Sequence, residues 1–122
     1  MIVVGVAIAG GLGALLRFAV DRAVRAWVGP HLPWGILVIN VTGSLALGFL
    51  VGVADHHRLG PSVLTVVGVG LLGSYTTFST LAYDTAGLAE RGQWAAAAGI
   101  LAVSLALGLA AAGAGLGLGA AL

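Results

Sequence analysis

The residues of this 122-residue chain best suited to chemistry lie between Gly73 and Thr80: Gly73, Ser74, Tyr75, Thr76, Thr77, Phe78, Ser79 and Thr80. They sit inside an uncharged apolar stretch, 59–83. One or two hydroxyls in such a stretch bond back to the preceding helical turn and mean little. Here Ser74, Thr76, Thr77, Ser79 and Thr80 crowd one short segment, with Gly68 and Gly70 just upstream. The pattern predicts a helix that breaks. At membrane depth non-helical backbone persists only where protein or a water-filled cavity satisfies its freed groups. Freed carbonyls at such a break can hold a small cation.

Three further residues carry polar chemistry in apolar surroundings. Asn40 offers two N–H groups to an anion, or a hydrogen bond that ties two helices together. Ser104 is the only hydroxyl in the last apolar run. Arg17 is the only cation near the interior of a run, placed either to draw anions into a vestibule or to reach the headgroups.

The absences narrow the function further. No Asp, Glu or His falls within an apolar run clear of its ends, so proton-relay and cation-coupling groups are missing. His31, His56 and His57 read as loop residues, and Asp55–His56–His57 as adjacent exposed groups rather than a metal site. The hydroxyl cluster has no base beside it, which leaves no nucleophile–base–orienter set and argues against an enzyme. Gly68, Gly70 and Gly73 match the dinucleotide fingerprint, but that motif works only between a strand and a helix. With no cysteine there are no disulfides, and with no lysine and a net charge of +1 there is no basic patch for nucleic acid.

What must position these groups is set by charge placement. Residues are 60% hydrophobic and only 7% charged, against roughly a quarter in a soluble domain. The charges cluster at 17–25, 55–58 and 84–91, leaving four uncharged runs. A span needs about 20 apolar residues. The reading is an all-α membrane protein, one domain over 1–122, with spans at roughly 2–20, 33–54, 61–83 (break near 73–77) and 93–120. Ala7-Ile8-Ala9 resembles a signal-peptide cleavage site, but no basic n-region precedes it, so the first span is expected to be retained.

Trp27, Trp34, Tyr83 and Trp94 fall near span ends, where amphipathic rings favour the headgroups. The loops are short, roughly 21–32, 55–60 and 84–92. The first and third carry Arg22, Arg25 and Arg91; the opposite side carries Arg58 alone. That bias is small enough to permit insertion in both orientations. Gly48–Gly52, Gly113–Gly117 and Gly115–Gly119 repeat at four-residue spacing and let helices approach closely, within one chain or between two. Four thin helices enclose little space, so a pore here implies an oligomer.

Three segments together resemble one family. Gly10 through Arg17 is similar to its glycine-rich first span ending in arginine. Gly35-Ile36-Leu37-Val38-Ile39-Asn40-Val41-Thr42-Gly43 resembles its second-span motif, with Ile39 where valine is usual. Gly73 through Thr80 resembles its third-span motif, with Ser74 in place of a glycine. In that order and spacing they resemble the Fluc fluoride channels, also called CrcB proteins, over essentially the whole chain. The resemblance implies a fluoride-selective channel of the plasma membrane that lets fluoride leave the cell passively. It implies an antiparallel dual-topology dimer with two fluoride pathways. Asn40 and Phe78 would line the pathway, with Thr77, Ser79 and Thr80 nearby and Ser104 on a fourth-span polar track. Gly73 and Thr76 would supply backbone carbonyls to a structural Na⁺ that is not transported.

One position departs from the family pattern: Leu81 stands where a second phenylalanine is usual. An aliphatic side chain has no quadrupole. A working but altered pore, a poor pore, and a heterodimer whose paralogous partner supplies the ring are all open, with the homodimer favoured. Two rival functions remain. A small multidrug-type transporter needs a membrane-embedded carboxylate, which the first span lacks. A structural subunit of a larger membrane complex would explain the glycines, but not the hydroxyls around Phe78.

Overall fold

The computed structural model describes residues 1–57 and 59–122; Arg58, counted above in the loop charge, lies outside the described residues. Every regular element among the described residues is a helix. Helix α1 covers Ile2–Val28 and α2 covers Trp34–His57. The third span is two helices: α3, residues 61–75, and α4, Phe78–Glu90. Helix α5 covers Trp94–Ala120. Among the described residues, four stretches are long and apolar enough to cross a bilayer, with 61–90 counted as one. Many of their outward residues are large and apolar (Leu12, Phe18, Leu105 and Leu109 among them), as suits contact with lipid.

The helices overrun the expected spans. Residues 21–28 and 84–90, read above as loop, are the last turns of α1 and α4. The physical reason is local: Asp21 and Arg25 stand one turn apart and pair at 2.9 Å, which supports helix beyond the hydrocarbon. Asp55, His56 and His57 likewise close α2 rather than forming loop, and the His56 Nδ1–H donates to the Gly52 carbonyl at 3.1 Å. The true connections are tight. Gly29 and Gly92 adopt φ of +84° and +77°, conformations open to glycine, just past α1 and α4.

The first and third connections meet. Arg25 also reaches Asp84 at 3.7 Å, tying the end of α1 to the middle of α4. A polar cavity of about 410 Å³ lies there, lined in part by His31, Glu90 and Arg91.

Packing rests on glycine. Helices α2 and α5 make the most extensive pairing, and a Cβ at Gly48, Gly52, Gly115 or Gly119 would strike backbone of the other helix. These four glycines are therefore an intramolecular seam. Gly113 and Gly117 face away, with nothing within 4 Å of where a side chain would begin. Helix α1 packs on α3 in the same manner, Gly13 against the Leu71 carbonyl and Gly70 against Val6 and Ala9. A small apolar core of Ile36, Ile39, Tyr75, Leu81 and Ile100 joins α2, α3, α4 and α5 beside the break.

Candidate functional site

Helix α3 is itself irregular. Between Leu64 and Leu72 its turns are π-helical, with the Gly73 N–H donating back to the Gly68 carbonyl. Such widened turns are uncommon and often sit beside functional sites. Helix α3 then ends at Tyr75, and the chain runs extended through Thr76 (ψ 154°) and Thr77 (φ −151°, ψ 127°). Thr77 restarts the helix as N-cap of α4, its Oγ1 accepting from the Thr80 N–H at 3.3 Å. The break is thus confined to residues 76 and 77, at the far edge of the expected 73–77 segment.

Asn40 holds the break open. Its Oδ1 accepts from the Thr77 N–H and its Nδ2 donates to the Thr77 carbonyl, each at 2.9 Å. The amide side chain thereby substitutes for the missing helical partners of both backbone groups of Thr77. Asn40 Nδ2 keeps a second N–H beyond this pair. Gly43, one turn along α2, gives the space: a Cβ there would strike Thr76 Cγ2.

The diverted Thr77 N–H has a consequence for α3. In an unbroken helix it would serve the Gly73 carbonyl; here it serves Asn40. The Thr80 N–H, ordinary partner of the Thr76 carbonyl, goes to Thr77 Oγ1. Gly73 and Thr76 thus present carbonyl oxygens freed from helical bonding, the donor type a hard monovalent or divalent cation prefers. On the α4 side the reverse holds. The Phe78 and Ser79 amides open a helix and have no preceding helical carbonyl, and the positive end of the α4 dipole lies there.

A cavity of about 440 Å³ gathers these groups, lined by Asn40, Gly43, Ser44, Thr76, Thr77 and Phe78, with Gly68, Leu72 and Gly73 completing its wall beside Leu47. Phe78 is 76% exposed, so its ring stands at the cavity's open side rather than in the core. Thr77 Oγ1 is also within 3.2 Å of both Ser79 Oγ and Thr80 Oγ1. Of the residues singled out from sequence, Asn40, Gly73, Thr76, Thr77 and Phe78 meet in this cavity. Ser79 and Thr80 stand behind it, attached through Thr77.

Ser104 and Arg17 are outside the cavity wall. The Ser104 hydroxyl is buried and without a hydrogen-bond partner among the described residues. It lies one turn from Gly108, which neighbours Ser44. Arg17 is half-buried on α1, one turn past Gly13. Leu81 is 6% exposed, held in the core with Tyr75 and Ile100, and does not line the cavity. Ser44 follows Asn40 at i+4, the spacing that puts two residues on one helical face, and joins it in the cavity wall. The bond between Tyr75 and Thr42, described below, has no signature in sequence.

Residues 4–116 match the family described as CrcB-like protein, Camphor Resistance (CrcB). The chain belongs to that family. Its relatives include a protein of Leifsonia xyli subsp. xyli named fluoride-specific ion channel FluC 1, 45% identical over 97 residues, covering 80% of this chain and 71% of the relative. A Rhodospirillum centenum protein named fluoride-specific ion channel FluC is 41% identical over 103 residues, covering 84% and 82%. A Nitrobacter winogradskyi protein of the same name is 44% identical over 97 residues, covering 79% and 77%. CrcB membership and four apolar helices make this a multi-pass protein of the plasma membrane.

Proposed function

We propose that this chain is a fluoride-selective ion channel that lets fluoride leave the cell passively and so lowers its cytoplasmic concentration. The observation that carries the reading is the meeting of three neutral anion donors beside one cavity: the spare Asn40 N–H, the first amides of α4, and the Phe78 ring. An aromatic ring is electropositive at its edge and can offer C–H groups to an anion. Fluoride holds its water tightly, and neutral donors replace part of that shell without the strong attraction that would trap the ion. Thr77, Ser79 and Thr80 supply hydroxyls at the same helix start, and Ser104 a further one on α5. A narrow path of small donors excludes larger anions.

The working unit in this reading is an antiparallel dual-topology homodimer in the lipid bilayer. Support comes from the cavity's open side and from the exposure of Phe78, since one chain does not enclose the path. A second copy set against this face would close it. Leu81 adds no ring to the cavity, so any second ring–ion contact comes from elsewhere, in a homodimer or in a heterodimer with a paralogue. The freed carbonyls of Gly73 and Thr76 fit a structural Na⁺, which would neutralise carbonyl dipoles where two chains meet. Arg17 would serve a vestibule or a headgroup contact.

A multidrug-type exchange mechanism finds little support. Asp21, the one carboxylate of α1, is paired with Arg25 at 2.9 Å near the helix end. The test is efflux of fluoride from liposomes holding only this purified protein, with chloride as control. Rapid fluoride efflux with little chloride is expected; efflux of neither ion sinks the channel reading.

A further inference from the structure

The geometry points to Tyr75 as a positioning residue: its hydroxyl, bonded to Thr42 Oγ1, locks the last turn of α3 to α2 and so fixes where Thr77 and Phe78 stand. This inference rests on the proposed anion path, of which Tyr75 is not itself a lining residue.

Tyr75 Oη and Thr42 Oγ1 are 2.9 Å apart. The direction of the bond follows from counting protons. Thr42 has one, and its Oγ1 lies 2.7 Å from the Val38 carbonyl, which can only accept. The Thr42 proton is therefore committed to its own helix, and Tyr75 is the donor. A chain runs from the Tyr75 hydroxyl through Thr42 to the α2 backbone. Tyr75 is 8% exposed and otherwise packed among Ile36, Ile39, Leu81 and Ile100, where a phenol without a partner would be costly.

The position of this bond gives it a role beyond solubilising one hydroxyl. Three successive residues, the last of α3 and the two of the break, are each engaged by α2. Tyr75 is bonded to Thr42, Thr76 Cγ2 occupies the space left by Gly43, and the Thr77 peptide is paired with Asn40. The Tyr75 ring also passes across Gly43, about 3.2 Å from where a Cβ would begin. Extended backbone at 76 and 77 has no helical ladder to hold it. With the Tyr75–Thr42 bond in place the break is anchored at two points, by a side-chain latch before it and a backbone clamp within it. Without the latch, α3 can roll about the Asn40 clamp and carry Phe78 out of register.

The variant Tyr75→Phe removes one oxygen and keeps the ring. Two readouts are taken on the full chain: amide hydrogen exchange at Thr77 in detergent micelles, and fluoride efflux from liposomes. Loss of one such bond is expected to speed Thr77 exchange about fivefold and to slow efflux by a similar factor. Thr42→Val, which removes the acceptor, should do the same, and the double variant should be no worse than either alone. Unchanged exchange overturns the latch. Faster exchange with unaltered efflux shows a structural bond only, and overturns the positioning role. If the wild-type protein passes no fluoride, the channel reading fails on its own, and Thr77 exchange still decides whether the latch exists.

Discussion

Asn40 binds the backbone of Thr77 through both ends of its amide, donating to the carbonyl and accepting from the N–H at 2.9 Å each. Asparagine is suited to this because donor and acceptor sit side by side, as in a backbone peptide group. The two bonds hold an extended residue inside a span, where water does not satisfy it.

Replacing Asn40 with aspartate sets a carboxylate oxygen against the Thr77 carbonyl, two acceptors with no proton between them. Breaking this clamp should lower stability by about 1–3 kcal/mol and abolish fluoride efflux. Thermal denaturation in detergent and the liposome assay measure the two effects. Wild-type values in both would remove Asn40 from the site.

Phe78 makes the opposite case. Its ring is 76% exposed, so Phe78→Ile should change the stability of the folded chain by no more than about 0.5 kcal/mol. Fluoride efflux should nevertheless fall at least tenfold, because the aromatic edge is gone. A conducting, stable Phe78→Ile protein would show that the ring takes no part.

Leu81→Phe, which supplies the second ring that the family resemblance leads one to expect, should not improve conduction. Leu81 is packed against Tyr75 and Ile100, and a larger ring there overpacks the core at about 1–3 kcal/mol. A lower melting temperature with no gain in efflux is the expected result.

The glycine seam predicts a contrast along one helix. Gly115→Val forces a side chain into the backbone of α2 at Leu45 and Phe49 and should prevent the native pairing of α2 with α5. Gly113→Val meets open space and should leave the chain's own fold within about 0.5 kcal/mol. Circular dichroism melts of the two variants separate the cases.

Much of this protein was legible in its sequence for one reason: the bilayer leaves few solutions. Charges at 17–25, 55–58 and 84–91 bound the apolar runs, and each run must become a helix because lipid satisfies no backbone group. The break was legible too, since hydroxyls and glycines crowd the segment before Ser79. Its location was not. That Thr76 and Thr77, rather than Gly73 or Ser74, leave the helix depends on Asn40 and Gly43, which lie more than thirty residues away in the chain. Spacing could show that Gly115–Gly119 and Gly113–Gly117 each share a face, but not which face meets α2. The same limit applies to Leu81: sequence marks the missing phenylalanine, and only packing buries the leucine beside Tyr75, away from the cavity. Local rules act over one or two helical turns, whereas the site is made by α2 pressing on the point where the third span gives way.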